Sequence, residues 1–155
     1  NLLVTGTFSK SRSMAGARLG FGFACPTLIA DLETLRYSTN PYNINRLTQI
    51  AGAAALNNQA YFDGNCKKIA ETREYVKKEL IDLGFTVTDS KANFLFAKSD
   101  KIGGKELYLS LKERGVLIRH FESERIKDYN RITVGSREEM EIFLKKVSEI
   151  IGGKL

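Results

Sequence analysis

The chain has 155 residues, of which 43% are apolar and 27% are charged. This is the length of one ordinary domain and the composition of a globular protein, and it argues against a disordered, collagen-like or membrane protein. No window approaches the roughly 18 consecutive apolar residues that a membrane-spanning helix requires, and the first residues lack the pattern of a secretory leader. We therefore expect a cytoplasmic protein.

The charge is positive but evenly spread. Lysine and arginine number 24 against 18 aspartate and glutamate residues, which gives a net charge of +6. The basic residues are interleaved with acidic ones, as at Lys67–Lys68 before Glu71 and at Lys77–Lys78 after Glu74. Such interleaving is typical of a solvated helix face with ion pairs one turn apart. The charge therefore predicts no nucleic-acid partner.

The two cysteines, Cys25 and Cys66, are far apart and have neither a CxxC spacing nor a neighbouring histidine. This pattern predicts neither a metal site nor a disulfide scaffold. We expect both thiols to be reduced and packed.

The first half of the chain is predicted to contain short strands and then helices. We expect strands at about residues 2–5 and 18–24, and a helix over residues 28–35. No segment precedes the strand at 2–5, so we expect it to be unpaired and the chain to be a piece of a longer protein. From residue 45 to 84 apolar residues recur at helical spacing without a proline, which predicts one helix, or two with Gly64 as the break.

The second half has the pattern of a compact α+β unit. Ser136 and Glu139 have the spacing of a helix capping box, and Gly152 with Gly153 supplies a helix stop. The predicted elements are strands at residues 85–88, 93–97, 116–119 and 131–134, and helices at residues 105–114 and 136–151.

Residues 7–20 are the segment most informative about chemistry. Lys10 follows the first predicted strand and is flanked by hydroxyl side chains, and Arg18 comes eight positions later. Burial near a cation makes a lysine amine a good nucleophile towards carbonyl groups, and hydroxyls with an arginine fork bind phosphate. A solvated surface loop is the alternative that these residues leave open. The glycine spacing excludes a Walker phosphate-binding loop.

This segment, Thr-x-Ser-Lys followed by small residues and Ala-Gly-x-Arg-x-Gly, resembles the lysine motif of fold type I, class II pyridoxal-phosphate-dependent aminotransferases. Within them the chain is most similar to the histidinol-phosphate aminotransferase family. The similarity continues through the chain in the family's order, at residues 40–45, 92–95, 115–119 and 131–136.

The resemblance implies an α/β fold, the C-terminal part of such an enzyme. Residues 1–44 would be a remnant of the large cofactor-binding domain, residues 45–75 the connecting interdomain helix, and residues 76–155 the small α+β domain. Because the family's other cofactor anchors precede the lysine, we expect this stretch alone to be inactive. The family also implies a cytoplasmic homodimer without a metal and without a nucleic-acid or membrane partner.

The family's site residues carry over to matching positions. The resemblance implies that Lys10 forms a Schiff base with pyridoxal 5'-phosphate and moves the substrate's proton. It implies that Arg18, together with Thr7 and Ser9, contacts the cofactor phosphate. Arg131 is implied to bind the anionic group of the substrate.

The remaining matches are less specific. Arg119 matches a second arginine near the same place, and a salt-bridged strand residue is the alternative. Asn93 is implied to support the pocket, and His120 is not expected to act as a base because the lysine moves the proton. Arg12 and Met14 stand where aromatic residues and leucine are common, so we expect different packing around the loop.

The implied reaction transfers the amino group of histidinol phosphate to 2-oxoglutarate, which gives imidazole acetol phosphate and glutamate. A threonine-phosphate decarboxylase or an aromatic aminotransferase on the same scaffold is one alternative. A non-enzymatic, aminotransferase-like binding or regulatory module is the other.

Overall fold

The computed structural model describes residues 2–152 of the chain. It divides into two compact units, Asn1–Cys66 and Lys67–Leu155, which we call the first and second units. The domain limits after residues 44 and 75 were placed by family resemblance and remain predictions. No helix within residues 2–152 has the length and apolar character needed to cross a membrane.

The first unit begins with a two-stranded antiparallel hairpin. β1 (Val4–Thr7) pairs with β2 (Gly20–Phe23). The expectation of an unpaired first strand is therefore wrong, because its partner comes later in the chain. Gly6 permits this pairing, since a Cβ atom there would collide with the ring of Phe21.

Helices make up most of the rest of the first unit. They are α1 (Phe8–Ser11), a 3-10 turn (Ala15–Ala17), α2 (Pro26–Thr39), α3 (Arg46–Asn57) and α4 (Gln59–Asp82), which continues into the second unit. The break between α3 and α4 lies at Asn58 and not at Gly64 as predicted. The Asn58 side chain accepts a hydrogen bond from the Tyr61 amide at 3.4 Å, and such local bonds favour a new helix start.

The second unit contains a four-stranded antiparallel sheet with the order β3-β4-β6-β5. Its elements are β3 (Phe85–Val87), β4 (Phe94–Ser99), α5 (Gly104–Glu113), β5 (Arg119–His120), β6 (Asn130–Thr133) and α6 (Arg137–Ile151). The predicted strand at 116–119 is wrong for its first three residues. The Val116 amide donates to the Leu111 carbonyl at 2.9 Å, so the turn after α5 holds this segment away from the sheet.

The core of the second unit lies between the sheet and its helices. Alternate strand residues and one face of each helix are buried together, as the periodicity predicts. Large apolar side chains that are fully buried there include Val76, Leu80, Leu95, Leu111, Ile132, Leu144 and Val147.

The ends of α6 are stabilised as predicted. Ser136 Oγ accepts from the Glu139 amide at 3.2 Å, and Glu139 Oε2 accepts from the Ser136 amide at 2.8 Å. Gly152 then ends the helix in the left-handed region at φ +67°, and Gly153 lies outside the described residues.

Both cysteines are free and exposed. The expectation that they are packed is therefore wrong. Cys25 precedes the first turn of α2, and Cys66 lies on an exposed side of α4.

Candidate functional site

The predicted cofactor residues of the first unit lie on one closed loop. The hairpin brings Thr7 opposite Gly20, and the Phe8 amide donates to the Leu19 carbonyl at 3.0 Å. We call residues 7–19 the lysine loop. Backbone hydrogen bonds therefore hold the two ends of this loop together. Paired backbone groups in turn favour a single conformation of the loop.

Thr7 and Ser9 organise the start of the loop. The Thr7 hydroxyl accepts from the Ser9 amide at 3.0 Å and caps α1, the short helix that carries Lys10. The same hydroxyl donates to Ser9 Oγ at 2.8 Å. The hydroxyl groups of Thr7 and Ser9 thus lie side by side, three residues and one residue before the lysine.

The two cations of the loop are available for a ligand. Lys10 Nζ makes no hydrogen bond or ion pair with any residue from 2 to 152, and the Arg18 side chain donates only from Nη1, to the Ala15 carbonyl at 3.3 Å. Both side chains are exposed, so the buried environment expected for Lys10 is not present in this chain. An amine, a guanidinium fork and two hydroxyls together suit a ligand with an aldehyde and a phosphate.

Arg18 occupies an unusual backbone conformation. It ends the 3-10 turn at φ +54°, in the left-handed region that residues other than glycine seldom adopt. Such strain persists where the surrounding structure fixes it, and it clusters at binding sites.

The predicted substrate residues lie in the second unit. Arg119 of β5 is directly opposite Arg131 of β6, and Arg131 is opposite Phe96 of β4. Residues in register on antiparallel strands project from the same face, so both arginines share one face of the sheet. Neither has an acidic partner within the described part of the chain, so the salt-bridged alternative for Arg119 is wrong.

Arg131 is the more enclosed of the two arginines. It is half-buried, its guanidinium lies 5.5 Å from the centre of the Phe94 ring, and its buried Nε has no partner among residues 2–152. Arg119 is exposed and lies 5.6 Å from the Phe121 ring. A guanidinium fork without an acidic partner can bind a carboxylate or a phosphate, so both arginines are candidates for anion binding.

His120 and Asn93 are placed differently from the arginines. His120 is opposite Asn130, and strand alternation turns its side chain to the face away from Arg119, where it stacks on Tyr108 at 6.1 Å. The expectation that His120 does not act as a base remains a prediction. The backbone carbonyl of Asn93 accepts a hydrogen bond from the Val134 amide at 2.9 Å.

An aromatic cluster that was not predicted from the sequence lies beside the arginines. Phe96 stacks on Tyr129 at 4.6 Å and meets Phe121 edge to face at 6.1 Å. Lys98 lies 5.6 Å from the Tyr129 ring. The alternation of aromatic residues in residues 94–98 was the sequence signal that could have predicted this cluster.

No group of three or more potential metal-ligating side chains occurs within residues 2–152.

Comparison with known proteins identifies the class of protein to which the chain belongs. The model for the family aminotransferase class I and II matches residues 1–147, and the chain belongs to this family. It is 49% identical to histidinol-phosphate aminotransferase of Brachyspira hyodysenteriae over 97% of this chain. It is 45% identical to that of Lactococcus lactis subsp. lactis over 100% of this chain. It spans 43% and 42% of the lengths of these two relatives.

A solved structure of histidinol-phosphate aminotransferase from Sinorhizobium meliloti in complex with pyridoxal-5'-phosphate is also similar. Its TM-score with this chain is 0.86 at 26% identity, and the match covers 98% of this chain and 41% of that one. The predicted α/β fold class, that of the fold type I transferases, is thereby confirmed.

Proposed function

We propose that this chain is part of a pyridoxal-phosphate-dependent aminotransferase that acts on histidinol phosphate and 2-oxoglutarate. The observation that carries the proposal is the closed lysine loop, on which Lys10 and Arg18 have uncommitted donors beside two hydroxyl groups. The names of the curated relatives at 49% and 45% identity support the choice of substrate.

The residues of the loop fit the cofactor. Arg18, Thr7 and Ser9 would hold its phosphate through a guanidinium fork and hydroxyl groups, and Lys10 would bond to its aldehyde carbon. When bound, pyridoxal phosphate supplies an electron sink that makes the hydrogen on the substrate α-carbon acidic.

Lys10 would then act as the base. Nζ of Lys10 would remove the proton from the substrate α-carbon. The Thr7 cap at the start of α1 fixes the backbone from which Lys10 projects. Capping thus orients the base as well as stabilising the turn.

Arg131 and Arg119 would bind the anionic groups of the substrates. The α-carboxylate of glutamate and the phosphate of histidinol phosphate both suit a planar fork. The exposed apolar side chains of α3, Leu47 at 79% and Ile50 at 61%, are in keeping with a contact to a second copy. A homodimer is therefore part of the proposal, and a cytoplasmic location is proposed from the family resemblance.

Covalent trapping tests the assignment of Lys10. Pyridoxal phosphate is added, the product is reduced with borohydride, and the labelled lysines are mapped by mass spectrometry. We expect label at Lys10 and the loss of this label in Lys10→Ala. The label at Lys10 should be unchanged in Lys145→Ala, which removes an exposed lysine of α6. In a protein of the length of the relatives, Lys10→Ala should lower turnover by several orders of magnitude. Label confined to other lysines would refute the assignment.

A further inference from the structure

Arg12 lies two residues after Lys10 and reaches from the lysine loop to helix α4. Its Nη2 donates to Gln59 Oε1 at 3.1 Å, and its guanidinium carbon lies 4.1 Å from the centre of the Phe62 ring. Gln59 Nε2 donates in turn to Asp63 Oδ1 at 2.8 Å. Residues 59, 62 and 63 are neighbours on the surface of α4, so together they form one patch that contacts the Arg12 side chain. We call this patch the receptor face of Arg12.

The charges around Gln59 determine how its amide is oriented. The carbonyl end faces the cation of Arg12, and the amine end faces the carboxylate of Asp63. Reversing the amide would place a donor against the guanidinium and an acceptor against the carboxylate. Gln59 therefore connects Arg12 to a counter-charge that it does not touch directly.

The backbone of Arg12 is tied to the lysine helix as well. The Arg12 amide donates to the Phe8 carbonyl at 3.2 Å at the end of α1, and the Ser13 amide donates to the Lys10 carbonyl at 3.2 Å. Ser13 has φ +56°, a conformation that costs energy for a residue other than glycine. A strained turn directly after Arg12 requires neighbouring contacts to hold it.

We infer that Arg12 is a positioning residue that fixes α1, and with it Lys10, against the Gln59, Phe62 and Asp63 face of α4. This inference rests on the proposed role of Lys10 for its functional part. Its structural part, the immobilisation of the loop, rests only on the contacts of Arg12.

The test measures the loop and the lysine separately in the 155-residue chain. Hydrogen exchange of the Ser13 and Met14 amides reports on the loop, since both donate to carbonyls of α1. The rate of Lys10 trapping by pyridoxal phosphate and borohydride, relative to Lys145, reports on the lysine. In Arg12→Gln we expect exchange to rise about tenfold and relative Lys10 trapping to fall, because a stacked and hydrogen-bonded guanidinium is lost.

Further variants distinguish positioning from general destabilisation. Gln59→Ala should raise exchange less than Arg12→Gln, and the double variant should equal Arg12→Gln because Gln59 acts only through Arg12. Arg12→Lys should be intermediate, since it keeps the charge without the planar fork. The control is Arg36→Gln, which removes an arginine of α2 that stacks on Tyr37 at 4.2 Å and should leave both measurements unchanged.

Each outcome bears on a defined part of the inference. Unchanged exchange in Arg12→Gln would overturn it. Faster exchange with unchanged Lys10 trapping would reduce Arg12 to a loop contact and overturn its role towards the lysine. If the wild-type chain is not trapped at Lys10, the proposed cofactor site fails, and the exchange measurement still decides whether Arg12 holds the loop.

Discussion

Arg119 and Arg131 lie directly opposite each other on adjacent antiparallel strands, and neither has an acidic partner among residues 2–152. Like charges opposite each other in a sheet destabilise it. The arrangement becomes favourable when an anion lies between the two forks. The proposed anion site therefore comes at some cost to the stability of the sheet.

This conflict predicts that removing one arginine stabilises the chain. Arg119→Gln should raise the free energy of unfolding by about 0.5 kcal/mol at low ionic strength, because a like-charge pair is removed. The gain should disappear in 1 M salt, where charges are screened within about 3 Å. Urea unfolding at both salt concentrations measures it. A gain that is equal at both would attribute the effect to something other than charge.

Arg18 and Arg131 should have different functions. Arg18→Gln should weaken pyridoxal phosphate binding by about 10- to 100-fold, because a charge-assisted hydrogen bond contributes about 1.5 to 3 kcal/mol. Arg131→Gln should leave cofactor binding unchanged and raise the KM for glutamate and for histidinol phosphate. Cofactor titrations and kinetics on a protein of the relatives' length measure both. Equal loss of cofactor in the two variants would contradict this division.

Two adjacent glycines at the start of α5 should respond oppositely to substitution. A Cβ atom on Gly104 would lie 2.6 Å from the Lys127 carbonyl oxygen and 2.8 Å from the backbone of Asp128. Gly104→Ala should therefore lower the free energy of unfolding by about 1 to 3 kcal/mol. Gly103 has open space and is the N-cap, so Gly103→Ser should raise it by roughly 0.3 kcal/mol. Thermal unfolding compares them, and similar losses in both would be evidence against the steric explanation.

An ion pair of the second unit should make stability depend on pH. Lys77 Nζ donates to Asp89 Oδ1 at 2.5 Å, and this hydrogen bond holds the pKa of Asp89 below its usual value. The carboxylate therefore contributes stability above the pKa of the unfolded chain, and this contribution is lost as the pH falls through the lower folded value. Asp89→Asn should flatten the stability profile at acidic pH.

The matched control for this pair is Asp100→Asn, which removes an exposed carboxylate without a partner among the described residues. Urea unfolding from about pH 3 to about pH 7, a range that includes the titration of aspartate side chains, measures the difference in the pH dependence of stability. A profile that Asp100→Asn flattens as much as Asp89→Asn would show that the ion pair is not responsible.

Local sequence patterns predicted the parts of the fold that local interactions determine. The Ser136 and Glu139 capping box is confirmed, because both partners lie within one helical turn. The helix break was expected at Gly64, but glycine is a weak helix breaker, and the break lies at Asn58. An asparagine that caps the next helix is a stronger signal. The segment at 116–118 was assigned to a strand from its apolar residues, whereas a turn bond to Leu111 decides its conformation.

The site was predictable in composition but not in arrangement. Spacing along the chain placed Lys10 and Arg18 on one loop, and the hairpin that closes this loop came from a later strand. The opposition of Arg119 and Arg131 depends on strand register, which a single sequence does not specify. The contact of Arg12 with α4 joins residues 47 positions apart, so no local pattern indicates it.

Helix α4 has a consequence for recombining this chain with other members of its family. The division between the two compact units falls after Cys66, inside the uninterrupted helix Gln59–Asp82. A crossover there would splice two parental sequences within one helix, and an inserted or deleted residue would rotate everything after it by about 100°. A crossover at Asn58 would keep the helix whole but would take Arg12 and its receptor face from different parents. Functional chimeras should therefore inherit position 12 together with positions 59–63 as one block.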